Sequence, residues 1–230
     1  MVKRRDGKQT RQKLLDVACQ VFADKGFREA KITDICQRAG ANVAAVNYYF
    51  GDKETLYVAA WQQTLERFVS ADPPPPAALP PEARFRLVIQ RIMRRLLLDD
   101  SGGGCFRRLE LMELAKPTGL IGEIWNRLIA PRREAMQRMI RGIGGADLPD
   151  DAVVLCEMSI INQCRGYLLL QKGSHDDIFA GPPTPRRVDH IAEHITRFSI
   201  AGILAIRDQL RCSGDAPAPS LTPPADPEGR

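Results

Sequence analysis

Several features are missing from this 230-residue sequence, and each absence removes a class of protein. No apolar run approaches the ~20 residues that a membrane-spanning helix needs. The opening Met1-Val2-Lys3-Arg4-Arg5-Asp6 is basic but has no apolar stretch of the signal-peptide kind, so the expected location is the cytosol. There is no CxxC pair among the six cysteines (Cys19, Cys36, Cys105, Cys156, Cys164 and Cys212). In a reducing compartment such scattered cysteines read as small buried thiols. The chain has three histidines and no GxSxG, no glycine-rich phosphate loop and no HExxH. Cys164 near Tyr167 has no evident base, so no catalytic constellation supports an enzyme. No cofactor is implied. Internal repeats are absent. β-Branched and aromatic residues never alternate over a useful length, so strands are not expected.

What is present suits a folded chain of helices. The sequence is 44% hydrophobic and 27% charged, enough for one core of ordinary size or two small ones and too apolar for a mostly disordered chain. The net charge of +5 is unevenly placed: residues 1–60 carry 11 Lys/Arg against 7 Asp/Glu, whereas residues 61–230 carry 22 against 21. Such asymmetry points to a polyanion, either nucleic acid or an anionic membrane, although a plain solvated face has the same signature.

Eleven of the 17 prolines fall in two places, the ADPPPPAALPP run at 71–81 and residues 213–230. The first reads as a stiff spacer and the second as a disordered tail. Between them the apolar residues follow helical spacing. Leu14, Val17, Ala18, Val21 and Phe22 form one stripe, with an Asp6/Gln9 capping box before it and Gly26 to end it. Short helices follow at about 33–39 and 43–49, separated by the turn Gly40-Ala41-Asn42, and Asp52 caps a helix to about residue 70. Beyond the spacer, helices are expected at 82–98, 105–115, 118–143 (kinked or split at Pro131), 149–172 and from the Thr184-Pro185 start to about 210. Gly102-Gly103-Gly104 reads as a turn and 173–183 as a loop. The fold class is therefore all-α.

Three helices, two of them short and joined at a glycine, have helix-turn-helix spacing. The residues Thr33-Asp34-Ile35-Cys36-Gln37-Arg38-Ala39-Gly40 and Val43-Ala44-Ala45-Val46-Asn47-Tyr48-Tyr49-Phe50-Gly51-Asp52-Lys53-Glu54-Thr55-Leu56-Tyr57 resemble the TetR family of bacterial repressors. The likeness covers about residues 8–68 and implies a DNA-binding helix-turn-helix domain. Where the family usually has a capping threonine, this chain has Lys31. Two starts of the second helix stay open: a late one capped by Thr33, or an uncapped one with Lys31 facing phosphate.

The roles then divide by chemistry. Thr33, Tyr48, Tyr49 and Lys53 are placed to hold phosphates. Asn42, Val43, Ala44, Ala45 and Asn47 lie at the start and exposed face of the recognition helix. Asn47 suits adenine, and small apolar groups suit a thymine methyl. Ile35, Val46, Phe50 and Leu56 read as core, and Tyr49 has packing as its alternative. Lys3, Arg4, Arg5 and Lys8 read either as a phosphate or minor-groove arm or as a solvated tail.

Residues 82–211 resemble the CecR-like subgroup. The matching pieces are Glu110–Pro117, Ser159-Ile160-Ile161-Asn162-Gln163-Cys164, Tyr167 and His190–Gly202. This resemblance implies a helical effector-binding and dimerisation domain, a homodimer joined through its last two helices near Gly166, Ala201 and Gly202, and a small-molecule effector. Candidate pocket residues are Phe106, Glu110, Glu113, Trp125, Arg132, Met136, Met139 and Tyr167, with core packing as the alternative for the apolar ones. His190 and His194 share a helix face, but two ligands do not make a metal site. The overall expectation is a ligand-released homodimeric repressor of a palindromic double-stranded DNA operator, with efflux or transport genes implied by resemblance. A helical membrane-surface or small-molecule-binding protein that binds no operator is the second reading.

Overall fold

The computed structural model describes residues 2–70, 73–98, 103–169 and 183–212. Among these residues the secondary structure is nine helices with no strand. They are α1 (Val2–Glu29), α2 (Ile32–Ala39), α3 (Val43–Phe50), α4 (Lys53–Ser70), α5 (Pro81–Leu98), α6 (Gly103–Ala115), α7 (Gly122–Gly144), α8 (Asp150–Leu169) and α9 (Pro185–Cys212). The all-α expectation holds. The tail at 213–230, the loop at 173–182, the end of the expected helix beyond residue 169, and Gly102 lie outside the described residues.

Several sequence-based boundaries need correction. Helix α1 begins at Val2, so Asp6 and Gln9 lie within it and the capping box does not start it. Residues 2–8 form its first turns. Gly103 and Gly104 belong to α6, not to a turn. Helix α7 runs unsplit through Pro131. Proline removes one backbone donor, the one that would meet the Arg127 carbonyl four residues back; the Arg132 guanidinium donates to the next carbonyl, that of Leu128, at 2.7 Å. Other signals hold. Gly26 breaks the helical path with φ of 74°, Asp52 caps α4 by accepting from the Thr55 amide at 2.7 Å, and the Thr184 hydroxyl accepts from the Arg187 amide ahead of Pro185. Pro81 likewise stands at the first position of α5.

The chain divides into two compact units, Met1–Pro74 with Arg94–Arg132 and Pro75–Met93 with Arg133–Arg230. In the first, α1 buries Leu14, Ala18, Val21 and Phe22, and α4 buries Leu56, Tyr57, Ala60, Trp61 and Leu65. Both sets recur at three- and four-residue intervals, which places them on one helix face. Helix α6 packs against both and adds Phe106 and Leu109 to the same core. Phe106 stacks on Phe68 at 4.3 Å and meets Trp61 edge-on at 5.8 Å, while Tyr57 sits edge-on to Phe22 at 4.9 Å.

Glu113 ties together several polar groups at the edge of this core. The Tyr57 hydroxyl donates to Glu113 Oε2 at 2.7 Å, and Glu113 Oε1 accepts from the amide and the hydroxyl of Thr118, each at 2.8 Å. Burial first, then the Glu113 carboxylate, raises the Tyr57 phenol above its ordinary range. Two guanidinium groups close the C-terminal end of α4, Arg132 on the Val69 carbonyl at 2.7 Å and Arg95 on that of Phe68.

In the second unit, α8 packs on α9. Its buried set includes Phe85, Ile89 and Met93 of α5, Met136, Ile140 and Ile143 of α7, Val153, Cys156 and Ile160 of α8, and Val188, Ile191, Ile195 and Ile203 of α9. The Glu157 side chain, only 4% exposed, is held by both arms of Arg133 at 2.7 and 3.1 Å and by Gln137 at 2.6 Å. A buried carboxylate is stable only with such pairing.

Tyr57→Phe leaves the ring packing intact but deprives Glu113 of one donor. It should lower unfolding stability by about 1–2 kcal/mol, read from urea denaturation. No change would show that the bond is not maintained in solution.

Candidate nucleic-acid interface

Helices α2 and α3 meet at Gly40, whose φ of 63° and ψ of 38° lie in the left-handed region. A side chain there would cost roughly 1–2 kcal/mol. The turn is closed by the Gly40 and Ala41 amides, which bond the Gln37 and Cys36 carbonyls. Helix α2 faces the core with Ile35, Cys36 and Ala39, and α3 with Val46 and Phe50. Leu56 of α4 is fully buried too, so the four residues read as core from the sequence all are. Ion pairing and stacking fix these short helices to α1: Lys25 bonds Asp34 at 2.7 Å, Arg38 donates to Gln20 at 3.0 Å, and Arg11 lies over the Phe50 ring at 5.0 Å. The Lys25 contact holds the Asp34 carboxyl below its ordinary value.

The opposite face is open. Val43, Ala44, Asn47 and Tyr48 are exposed, Tyr48 at 82%. Three of these side chains are short, so a groove could approach the α3 backbone closely. Ala45 is only partly exposed and packs against the core.

Three candidate residues are engaged by contacts within the fold, and for Tyr49 packing is the alternative named above. Asn42 is the N-cap of α3: its Oδ1 accepts from the Ala45 amide at 2.9 Å. That role was legible, because asparagine before an apolar helical run is a capping signal. Tyr49 is half-buried, and its hydroxyl lies 3.1 Å from where a Cβ on Gly7 would stand. Its ring rests edge-on to that of Tyr48 at 4.9 Å. Lys53 donates to the Arg28 carbonyl at 3.3 Å and its ammonium lies 4.8 Å from the Phe27 ring centre. Burial lowers its pKa. Lys53 therefore holds the last turn of α1 against the start of α4.

Thr33 is exposed on the first turn of α2 but does not cap it. The helix starts at Ile32 after Lys31, with no side-chain cap hydrogen bond, so the late Thr33-capped start is not adopted. An uncapped N-terminus carries partial positive charge and free donors, which suit an anionic oxygen.

The candidate effector residues fall in both units. Phe106, Glu110, Glu113, Trp125 and Arg132 lie in the first, Met136 and Tyr167 in the second, as does Met139. Phe106 and Trp125 pack on Trp61, the latter at 6.4 Å. Glu110 is buried, Glu113 holds Tyr57 and Thr118, and Arg132 holds carbonyls. Met136 and Met139 are buried and Tyr167 is half-buried. A cavity of about 40 Å³ in the first unit is lined by residues including Lys25, Phe27, Tyr57, Met112 and Thr118, and by none of these candidates. His194 stacks on Phe198 and Glu193 pairs with Arg86 at 2.9 Å. Among the described residues, no helix is long and apolar enough to cross a membrane.

Comparison with known proteins agrees with this geometry. Residues 14–60 match the family model of bacterial regulatory proteins of the tetR family, and residues 81–203 match that of the C-terminal domain of the HTH-type transcriptional dual regulator CecR. The chain is 27% identical to the HTH-type transcriptional dual regulator CecR of Shigella flexneri over 180 residues, 71% of this chain and 77% of that protein. It is 31% identical to the HTH-type transcriptional repressor NicS of Pseudomonas putida over 71 residues, 31% of this chain and 34% of that one. A TetR-like transcriptional regulator from Rhodococcus sp. RHA1 shares the fold with a TM-score of 0.61 at 19% identity, over 84% of this chain and 96% of that structure.

The cap assignment separates the two uses of Asn42. Asn42→Ala should cost about 1 kcal/mol of stability, whereas Asn42→Ser should restore it. Thermal unfolding of both variants checks this; equal stability of the alanine variant and the parent would remove the cap.

Proposed function

The chain belongs to the TetR family of bacterial regulatory proteins, with a C-terminal domain of the CecR type, and on that premise we propose that it is a homodimeric repressor released from a palindromic operator by a small-molecule effector. As a member of this family it is a DNA-binding transcriptional regulator and not an enzyme. We assign DNA reading to residues 8–68, and effector sensing and dimerisation to 82–211.

The observation that carries the operator reading is the two-sidedness of α3. Val46 and Phe50 anchor it while Val43, Ala44, Asn47 and Tyr48 face outward. A helix seated on one face and bare on the other can enter a major groove. Asn47 can bond the N6/N7 edge of adenine, and the Ala44 methyl and Val43 can meet a thymine methyl. Tyr48, Thr33 and the uncapped start of α2 are suited to phosphates, which set register without reading sequence. Asn42, Tyr49 and Lys53 act chiefly by holding α3 and α4 in place.

Exposed apolar side chains on α8 and α9 support dimerisation. Leu155 and Met158 are about half exposed and Phe198 is 64% exposed. A Cβ added to Gly166 or Gly202 would meet nothing within 4 Å. A second copy covering these helices would form a four-helix bundle and carry two recognition helices ~34–36 Å apart for successive major grooves. An effector must bind the DNA-free conformation more tightly than the DNA-bound one, because binding alone shifts no equilibrium. By family likeness we assign it to a hydrophobic or drug-like class, and the regulated genes to efflux or transport.

Footprinting on the region upstream of the chain's own coding sequence should reveal a two-fold symmetric site. Asn47→Ala should weaken binding there by about 1–3 kcal/mol with little change on random duplex, and equal losses on both would refute base readout. The logarithm of affinity should fall with log salt by about 0.9 per phosphate engaged; a flat response would refute phosphate gripping. Sedimentation of the full chain should give a dimer, and Phe198→Glu should give a monomer. A dimer in that variant would place the interface elsewhere.

A further inference from the structure

We propose that the N-terminal turns of α1 form a phosphate-gripping flank of the DNA interface, with Lys8, Arg11 and Lys13 as its cations and Gly7 as the residue that sets its place. The occupant is the sugar-phosphate backbone of duplex DNA beside the groove that α3 enters, so the proposal rests on the DNA-binding reading above. Helix α1 packs against α3 within the first unit. Gly7, Arg11 and Lys13 each meet the helix-turn-helix at a separate point. A Cβ on Gly7 would stand 3.1 Å from the Tyr49 hydroxyl. The Arg11 guanidinium lies over the Phe50 ring, 5.0 Å from its centre. The Lys13 ammonium lies 3.6 Å from where a Cβ on Gly40 would stand, at the turn that leads into α3. Gly7 and Arg11 are four residues apart and so share one face of α1. They meet consecutive residues at the end of α3.

Gly7 has no conformational reason to be glycine. It lies inside α1 and its φ is not positive. Within a helix glycine is less favourable than every other residue but proline, so what it supplies at this position is space. A carbon–oxygen approach of 3.1 Å is closer than packed side chains ordinarily make. Any larger side chain would need the volume that the Tyr49 hydroxyl holds. Gly7 therefore lets α1 lie nearer the recognition helix than another residue would. It is a positioning residue and touches no DNA itself.

The three cations are available to an anion. Lys8, Arg11 and Lys13 are exposed, and among the described residues none of them forms an ion pair. Other cations of the same unit are taken: Lys25 pairs with Asp34, Arg67 with Asp16 and Arg108 with Asp24. Asp16, the carboxylate on α1 nearest in sequence to Lys13, is already held by Gln12, Gln63 and Arg67. Stacking on Phe50 occupies the face of the Arg11 guanidinium and leaves its in-plane N–H donors for phosphate oxygens. The patch is continuous with the exposed side of α3: the Tyr48 ring stands edge-on to that of Tyr49, and the Tyr49 hydroxyl reaches Gly7, the neighbour of Lys8. Such a flank adds salt-dependent affinity and reads no sequence.

The full-length protein is titrated with two duplexes, one from the upstream region and one of random sequence, and binding is read by fluorescence anisotropy over a range of salt. Lys8→Gln, Arg11→Gln and Lys13→Gln should each lower the slope of log affinity against log salt by about 0.9 on both duplexes. Arg127→Gln, which removes an exposed cation of α7, should leave the slope unchanged. Gly7→Leu should lower it by about 1.8, because the turn that carries Lys8 and Arg11 is displaced. A smaller pair of changes reads the same contact without a bulky side chain: the slope should fall in Gly7→Ala and return when Tyr49→Phe removes the crowding hydroxyl. Unchanged slopes in the three cation variants, or an equal fall in Arg127→Gln, would overturn the proposal. The parent's slope in both Gly7 variants would refute the positioning role. Loss of preference for the upstream duplex with slopes that still fall would refute the operator reading and leave the flank standing. No binding to either duplex would overturn both.

Discussion

The seating of α6 on α1 and α4 is the contact on which the first unit depends. Phe106 and Leu109 fill the space between the two N-terminal helices, and the ring contacts join Phe68, Trp61 and Phe106 into one group. Removing such rings from water is a large stabilising term, and their close packing makes the arrangement stiff. The Tyr57–Glu113–Thr118 bonds then fix the far end of α6 and the start of the next segment. A DNA-reading surface made of two eight-residue helices could not stand without such support, because helices that short are marginal in water. The helix that supplies it lies within the stretch matched by the C-terminal family model.

The candidate interface shows how few polar groups a short helix-turn-helix leaves free. Asn42, Tyr49 and Lys53 each resemble a DNA-contacting residue by type and position. Each is engaged in the fold, as a cap, as packing on α1 beside Gly7, and as a bond to the end of α1. What remains outward on α3 is small and uncharged apart from Tyr48. Affinity and selectivity are then separable in this architecture. In the function proposed above, charge across the first sixty residues would attract the polyanion and the Val43–Tyr48 surface would meet the base edges.

The helical register was legible because burial follows the three- and four-residue spacing of apolar side chains. Ile35, Val46, Phe50 and Leu56 were identifiable as core on that basis, and Gly26, Gly40, Asp52 and Thr184 as stops and caps. The misplaced boundaries have local reasons. A capping pattern at Asp6 cannot override continued helix on its N-terminal side. Adjacent glycines at 103 and 104 are drawn into α6 where Phe106 and Leu109 are buried. Pro131 is accommodated inside α7 although it lacks the donor for the Arg127 carbonyl four residues back. Candidates for the effector pocket were named by residue type, and type does not distinguish a ligand cavity from an aromatic core. Phe106 and Trp125 prove to pack on Trp61, and the small cavity lies beside other residues.

By itself the sequence determined the class of fold, the helix-turn-helix and the face of each helix that is buried. These follow from periodicity, turn glycines and charge, all of which act between near neighbours along the chain. Tertiary structure alone decided how Tyr49 and Lys53 are tied to α1 and that α6 joins the core of α1 and α4. Those outcomes depend on which surfaces meet after long loops close, and no local pattern specifies the partner.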